Sequence, residues 1–458
     1  MALGCNKNSE QQNKTDHSPP HDLIEVKLAG ELRALVDNSS TSYFIYKGKP
    51  MGYEYELLSE FSKAIGVSLK IIPIDNLDQV IDSLNMNKGD VIAANLTVTK
   101  KRKEVVEFSS PLIKSKQILV QRKTSRDDTE GLIDSPMQLE GKEVYVRKNS
   151  SFFKRLENLS EEIGGAIIIK PVAGNVTVEE LIKKVADGEI DYTIADEHVA
   201  KINSSYYRNL YIKTPISLEQ EMAWAVRKES PDLLIAMNEW LRNFRKTVDF
   251  RVIYLKYFGN TSLYKSRIKS DFYTSKSGIL SPYDNIIKVE SEKINWDWRL
   301  LTSLIYQESQ FDNEAVSWAG ASGLMQLMPE TAKEYGLDSL TSAKENINTG
   351  VRYLKWLDAQ FSEKVSDPDE RQKFILAAYN VGLGHVFDAV RLAEKHKKKP
   401  DVWFDNVAEM LLKKSNPEFF KDEVVYYGYC RGSEPYKYVT DILVRFQHYQ
   451  NITVPLDN

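Results

Sequence analysis

The sequence predicts a multidomain protein, with an α/β N-terminal part followed by an all-α C-terminal part. Its 458 residues exceed what one hydrophobic core usually supports, so several cores are expected. From Glu25 to about Tyr257, short apolar runs alternate with longer stretches of helical spacing, which is typical of βαβ units. From Trp296 to the end, the apolar spacing is helical throughout.

The N-terminal part contains strand and helix patterns in alternation. The predicted strands lie at residues 32–36, 69–72, 143–146, 166–169 and 192–195, and the predicted helices at 56–65, 80–84 and 178–186. A polar stretch without a clear period follows, and we place a linker there, at residues 261–284. In the C-terminal part, helices are expected to stop at glycines such as Gly336, Gly382 and Gly384.

Composition and charge exclude several classes of protein. The formal net charge is -4, and a solvated face usually explains short basic runs, so no nucleic-acid partner is expected. Two cysteines exclude a disulfide framework and a cysteine-based zinc site, and the six histidines lack any ligand spacing. We therefore expect neither a metal nor a cofactor. No run of about twenty apolar residues is present, so no segment is predicted to span a membrane.

The first residues predict an exported, tethered protein. Cys5 follows Ala2-Leu3-Gly4, which resembles the end of a bacterial lipobox, where a small residue precedes the cysteine that becomes lipidated. The rest of a signal peptide is missing, so we expect the parent chain to begin earlier. Residues 1–21 are expected to form a disordered tether, and the domains to occupy 22–260 and 285–450. The expected location is the periplasm, with the outer membrane reached only through a lipid on Cys5. An arbitrary cysteine in a disordered tail is the alternative.

Glu308 is the candidate catalytic residue. It follows Leu301, Leu304 and Ile305 at helical spacing, so it continues an apolar stripe instead of facing solvent. Desolvation of a carboxyl group raises its pKa, which keeps it protonated and able to donate to a glycosidic oxygen near neutral pH. The alternative is a structural glutamate that pairs with an arginine or caps a neighbouring helix.

Two further segments supply groups that suit a sugar substrate. The glycine-rich turn Gly320–Pro329 lets the backbone approach a ligand, and its Gln326 carries an amide that can donate and accept. Ala378-Tyr379-Asn380 ends a predicted helix, so its hydroxyl and amide can reach a neighbouring carboxylate or a substrate acetamide.

Together these motifs resemble the soluble lytic transglycosylase family, whose domain is lysozyme-like. The similarity covers about residues 285–450. It rests on four motifs in the family's order: Glu308-Ser309, Gly323–Pro329, Ala378–Asn380 and Glu434–Val439. Four ordered motifs are far more specific than any one of them.

Carried over by position, the resemblance implies that Glu308 is the sole catalytic carboxylate. It would protonate the oxygen that leaves N-acetylmuramic acid in the β-1,4 bond to N-acetylglucosamine of a peptidoglycan glycan strand. It would then remove a proton from the 6-hydroxyl of the same sugar, which closes a 1,6-anhydro ring without water. This differs from the paired carboxylates of most glycosidases. The residues implied to contact the substrate are Ser317, Gln326, Met328, Tyr379 and Asn380. Of these, Tyr379 would hold the glutamate. For Met328, packing in the core is the alternative.

The N-terminal part is similar to the family-3 solute-binding proteins, which have two α/β lobes and a ligand cleft between them. The motifs that carry the similarity are Gly52–Leu58, Thr97–Arg102 and Val106–Pro111. The similarity implies a periplasmic-binding-protein fold with the first lobe at 24–118 and 218–258 and the second at 122–215.

The same similarity implies an amino-acid or muropeptide ligand in this cleft. Arg102 matches the residue that clamps the α-carboxylate, for which a planar bidentate donor is well suited. Asp196 matches the partner of the α-amino group, and Thr97 and Ser151 match further donors. Tyr43 or Phe44 could cover the ligand. Asn95 stands where the family often has a small residue, so the ligand need not be a plain amino acid.

The predicted function is that of a peptidoglycan lytic transglycosylase that a ligand of the N-terminal domain could modulate. One alternative is an envelope sensor or solute-binding protein whose lysozyme-like domain binds glycan without cleaving it. Another is an ordinary hydrolase of chitin or peptidoglycan, whose products would carry one more water than anhydro products.

Overall fold

The computed structural model describes residues 21–74, 76–123, 131–259, 262, 264–265, 267, 270, 278–336 and 342–453. As far as it is described, the chain divides into two compact units. The N-terminal unit comprises the chain up to Tyr43 together with Gly52–Thr261, and the C-terminal unit comprises Phe44–Met51 together with the chain from Ser262 onward.

The N-terminal unit contains two five-stranded sheets within its described residues. The first has the order β4-β1-β5-β14-β6, with β1 Glu31–Asp37, β4 Ser68–Ile74, β5 Val91–Ile92, β6 Glu107–Phe108 and β14 Ala225–Val226. The second has the order β10-β9-β11-β8-β12, with β8 Gln117–Arg122, β9 Glu143–Arg147, β10 Ile168–Val172, β11 Tyr192–Asp196 and β12 Leu210–Pro215. β7 Ile113–Ser115 pairs with β13 Gln220–Met222. The chain thus leaves the first sheet, builds the second and returns.

Helices cover the sheets of this unit. They are α1 Leu23–Ala29, α2 Tyr53–Ile65, α3 Val80–Asn85, α4 Lys100–Lys103, α5 Ser151–Ile163, α6 Val178–Asp187, α7 Glu197–Tyr206, α8 Pro231–Phe244 and α9 Val248–Tyr254. Local sequence sets their ends, as at α6. There the Thr177 hydroxyl accepts a hydrogen bond from the Glu180 N–H, and the Glu180 carboxylate accepts one from the Thr177 N–H. The α/β class predicted for the N-terminal part is confirmed.

The C-terminal unit is helical around one large apolar core. Its helices are α10 Asp284–Glu292, α11 Trp298–Ser309, α12 Pro329–Glu334, α13 Ala343–Phe361, α14 Pro368–Val381, α15 Leu383–Lys395, α16 Ala408–Lys413, α17 Pro417–Phe420 and α18 Ser433–Thr453. The helical class is confirmed, with one addition from the N-terminal sequence. A hairpin of β2 Phe44–Tyr46 and β3 Lys49–Met51 packs on α18, where the Tyr449 hydroxyl donates to the Gly48 carbonyl at 2.9 Å.

Three sequence predictions differ from the structure. The hairpin falls outside the unit that contains the rest of residues 22–260. The predicted linker is partly packed, since Tyr264 and Arg267 are buried and the Asp284 carboxylate accepts hydrogen bonds from two backbone N–H groups. Gly384 lies inside α15 instead of ending a helix. The ring of Tyr427 covers it within 2.5 Å of where a Cβ would lie, so close packing and not helix termination requires a glycine there.

Candidate active site

α11 carries the candidate acid at the end of a deeply buried helix. Asp297 caps its start by accepting a hydrogen bond from the Arg299 N–H at 2.9 Å. Every residue from Leu300 to Tyr306 is buried, and α18 packs along the helix. The Ser303 hydroxyl donates to the Ile442 carbonyl of α18 at 2.7 Å, which fixes the two helices relative to each other. The helix ends at Gln310, whose backbone is left-handed.

Glu308 lies in the last turn of α11, half-buried. Burial raises the pKa of its carboxyl group to about 7, and a hydrogen bond from the Tyr438 hydroxyl opposes that rise. Tyr438 is itself buried on α18, so the helix that packs against α11 also supplies the phenol. A carboxyl group with a pKa near 7 exists in both protonation states near neutral pH, which suits an acid that must afterwards act as a base.

Tyr379 does not hold Glu308, which corrects the role predicted for it. Its hydroxyl donates instead to the Met325 carbonyl at 2.7 Å. It still lies near the acid, because burial first and the charge of Glu308 second raise the pKa of Tyr379 well above its usual value. The sequence motif at Glu434–Val439 contains Tyr438, but sequence reasoning assigned this tyrosine no role.

The substrate-contacting residues predicted between α11 and α12 lie on one loop. The Ser317 hydroxyl accepts a hydrogen bond from the Ala321 N–H at 3.0 Å, and Met328 is 44 % exposed at the start of α12. The side-chain amide of Gln326 donates at 2.9 Å to two carbonyls of its own loop, those of Ala315 and Gly323. Its N–H groups therefore hold the loop, and its oxygen is the atom left for a substrate. Asn380 is exposed at the end of α14.

Asn346 holds this loop in place, and sequence reasoning missed it. It is fully buried on α13, where its side-chain oxygen accepts from the Met325 N–H at 2.8 Å and its amide donates to the Ser322 carbonyl at 3.2 Å. A buried asparagine that pairs with loop backbone groups offsets the cost of burying them. The only sequence signal was an asparagine within an otherwise apolar face of a helix.

The four residues predicted to bind a ligand in the N-terminal unit lie together, and Asp196 joins the others through Gln117, which pairs with it on β8 and donates to the Ser151 hydroxyl at 3.3 Å. The Thr97 and Ser151 hydroxyls are 3.1 Å apart, and Arg102 donates to the Thr97 carbonyl at 2.8 Å. Burial first, and the charge of Arg147 second, lower the pKa of Arg102 to about 10. Burial raises the pKa of Asp196 to about 7, and Arg147 opposes this rise.

Arg147, Asp37 and Glu179 belong to the same cleft, and sequence reasoning missed all three. Asp37 ends β1, Arg147 ends β9, and Asp196 ends β11. β1 runs parallel to β4 and β5, and β9 runs parallel to β10 and β11. The carboxyl ends of parallel strands are where α/β folds bind ligands, so this position was the available signal. The two aromatic residues expected to cover the ligand have other contacts. Tyr43 lies against Tyr55, and Phe44 lies in the hairpin of the C-terminal unit.

Comparison with known proteins matches each part of the chain to a family. The family described as "Transglycosylase SLT domain" matches residues 285–402, and "Bacterial extracellular solute-binding proteins, family 3" matches residues 32–260. Among curated relatives, the "Membrane-bound lytic murein transglycosylase F" of Desulfosudis oleivorans is 34 % identical over 424 residues, which cover 93 % of this chain and 91 % of the relative. The protein of the same name from Pseudomonas fluorescens Pf-5 is 33 % identical over 426 residues, covering 92 % and 85 %.

Solved structures similar to this chain include a mutant of ArgBP from T. maritima, at 27 % identity and a TM-score of 0.46, covering 52 % of this chain and 99 % of that one. Another is an ancestral arginine-binding protein bound to arginine, at 27 % identity and a TM-score of 0.44, covering 50 % and 99 %.

Replacement Tyr438→Phe is expected to raise the pKa of Glu308 above about 7, because the phenol hydrogen bond stabilises the carboxylate. A hydrogen bond to a charged group predicts a rise of roughly one pH unit or more. The measurement is a 13C NMR titration of labelled glutamate carboxyls, with the Glu308 signal assigned from Glu308→Gln. The control is Tyr436→Phe on the same helix, whose ring packs on Phe404. An unchanged midpoint in Tyr438→Phe would contradict the assigned role.

Proposed function

This chain belongs to the membrane-bound lytic murein transglycosylase F family, and from that premise we propose how its C-terminal unit cleaves peptidoglycan. The protein is a lytic transglycosylase. It cleaves the β-1,4 bond between N-acetylmuramic acid and N-acetylglucosamine and forms 1,6-anhydromuramoyl products. The observation that carries the mechanism is the half-buried position of Glu308 at the end of α11, where burial raises the pKa of its carboxyl group to about 7.

In the first step, protonated Glu308 donates its proton to the glycosidic oxygen as the bond from that oxygen to C1 of N-acetylmuramic acid breaks. The resulting carboxylate accepts the hydrogen bond of Tyr438, which stabilises it between the two steps. In the second step, Glu308 removes the proton of the 6-hydroxyl while O6 bonds to C1. Glu308 thus regains the proton that it donated in the first step, and no water molecule is consumed.

The surroundings of Glu308 favour a single-carboxylate scheme. Within the described residues, burial and Tyr438 set its pKa, and no second carboxylate contributes. Paired-carboxylate glycosidases keep their second group at about 5 to 10 Å, where its charge would act on the first. We assign substrate contacts to the Gln326 side-chain oxygen and to Ser317, Met328 and Asn380, with Tyr379 supporting the loop through the Met325 carbonyl.

Glu308→Gln is expected to abolish the release of anhydromuropeptides, because a neutral amide can neither donate the proton nor accept it. Mass spectrometry of purified peptidoglycan digested by the wild type and the variant checks this. Glu292→Gln, which changes an exposed glutamate on α10, is the matched control and retains the products. Products heavier by one water would make the protein a hydrolase. No products from the wild type would favour a sensor with a non-catalytic glycan-binding domain.

For the N-terminal unit we propose an amino-acid or muropeptide site that modulates cleavage. Arg102 would take the α-carboxylate and Asp196 the α-ammonium, with Thr97 and Ser151 as further donors. The four residues lie together in a closed cleft, which supports this assignment. A ligand that favours one lobe arrangement shifts that equilibrium by its differential affinity.

Peptide stems released from peptidoglycan by an amidase are expected to bind the full chain and to change its turnover of glycan strands. Calorimetry measures the binding and muropeptide release measures the turnover. In Asp196→Asn both effects should weaken, because the ammonium partner is lost. Binding without any change in rate would remove the regulatory role and leave the binding site.

We also propose that Cys5 carries a lipid that anchors the protein to the outer membrane. Both reported relatives are described as membrane-bound. No helix among the described residues is long and apolar enough to cross a membrane. Cys5 itself lies outside the described residues.

Expression of the chain behind a lipoprotein signal peptide, with an alkyne fatty acid, should label the wild type and leave Cys5→Ser unlabelled, because the sulfur of Cys5 would carry the diacylglyceryl group that contains the fatty acid. Membrane fractionation should place the label in the outer membrane. Label in Cys5→Ser would contradict the site, and label in the inner membrane would contradict the location.

A further inference from the structure

The cleft of the N-terminal unit holds more charged groups than a plain amino acid can neutralise. Asp37, Arg147 and Asp196 enter it from the ends of three strands, Arg102 from α4, and Glu179 from α6. These groups interact electrostatically. The charge of Arg147 lowers the pKa of Asp37, of Asp196 and of Arg102, and the charge of Asp37 raises the pKa of Glu179. These five residues are called the cleft charges below.

Several polar atoms of the cleft have no partner among the described residues. Asp196 is only 7 % exposed, and its Oδ1 is buried without a hydrogen bond. The carboxylate of Asp37 accepts hydrogen bonds from Ser39 and Ser42, but its Oδ1 is buried without a partner. Nε of Arg147 is likewise buried and unpaired. Gln117 is 0 % exposed, and its Oε1 is unpaired as well. Buried polar atoms are nearly always paired, so these atoms point to a polar ligand.

The two lobes are closed over these groups. The Ser40 hydroxyl of the first lobe donates to the Glu179 carboxylate of the second at 2.7 Å, and the Thr97–Ser151 contact joins the lobes at 3.1 Å. Charges enclosed in this way lose most of their solvation by water, so they must be balanced by partners inside the cleft.

The cleft charges do not balance. Three carboxylates face two guanidinium groups, which leaves one negative charge when all are ionised, and a zwitterionic amino acid adds none. Burial raises the pKa of Asp37, of Glu179 and of Asp196, so keeping all three ionised costs free energy that a cationic ligand would offset.

Neighbouring groups do not correct this excess. Glu54 is another buried carboxyl group nearby, and burial, together with the charge of Asp37, raises its pKa to about 7. Burial lowers the pKa of His198 to about 4, so His198 stays neutral near pH 7, and Asp78 is exposed.

We propose that this cleft recognises a ligand with a second cationic group, a diamino acid or a peptide that ends in one, through Asp37 and Glu179. The proposal rests on the amino-acid site proposed above. Arg102 and Asp196 hold the α-carboxylate and α-ammonium, and the second ammonium lies between Asp37 and Glu179. It pairs the free Oδ1 of Asp37 and relieves the repulsion between the two carboxylates.

L-Lysine and L-norleucine test this in the full chain, because they share one carbon skeleton and differ in the terminal ammonium. Isothermal calorimetry should show lysine binding roughly 10- to 100-fold tighter than norleucine, the range expected for one charged hydrogen bond. In Asp37→Asn the preference for lysine should fall below about threefold, while the affinity for norleucine is retained. Glu179→Gln should reduce the preference in the same direction.

Glu180→Gln is the matched control, since Glu180 is exposed beside Glu179 and glutamine preserves its cap on α6. This control should keep the full preference for lysine. Equal affinity of the wild type for both ligands overturns the inference and leaves the proposed amino-acid site intact. An undiminished preference in both Asp37→Asn and Glu179→Gln also overturns it. Failure of the wild type to bind either ligand overturns the amino-acid site together with the inference, and muropeptide release by Glu308 is unaffected by that outcome.

Discussion

The burial of Glu308 at the end of α11 is the constraint on which the C-terminal unit depends. A carboxyl group placed on an apolar helix loses solvation, and Tyr438 offsets part of that cost with a hydrogen bond. The phenol is in place because α18 packs along α11 and receives the hydrogen bond of Ser303. Position and protonation of the acid therefore have one origin, the packing of these two helices.

Buried polar groups also determine the substrate loop. Asn346 pairs with backbone groups of Ser322 and Met325, and Gln326 closes the loop on itself from a left-handed backbone conformation. Loops of this composition have no strong intrinsic preference for one shape, so the geometry comes from the side chains that satisfy the backbone. The packed helices fix the two ends of the loop, and the side-chain amides of Asn346 and Gln326 fix the conformation of its backbone between them.

Sequence reasoning succeeded where periodicity carries the information and failed where distant residues compete for one contact. Glu308 was predictable because its helical spacing continues an apolar stripe. The choice between Tyr379 and Tyr438 was not, because both belong to ordered motifs and Tyr438 lies 130 residues from the acid. The hairpin at 44–51 was missed for a similar reason, since its strands show no sign of the helix on which they pack. Arg147 and Asp37 were also missed, although their positions at the ends of predicted parallel strands were a signal that could have identified them.

The two sites show that one electrostatic device can serve two purposes. Burial brings both Glu308 and Asp196 to a pKa of about 7. Around Glu308 a neutral phenol opposes the rise, so the group can hold its proton and give it to an oxygen. Around Asp196 a guanidinium group, that of Arg147, opposes it, and Oδ1 remains unpaired, so the carboxylate is available to a ligand cation. The partner of a buried carboxyl group, and not its pKa alone, decides whether it transfers a proton or binds a charge.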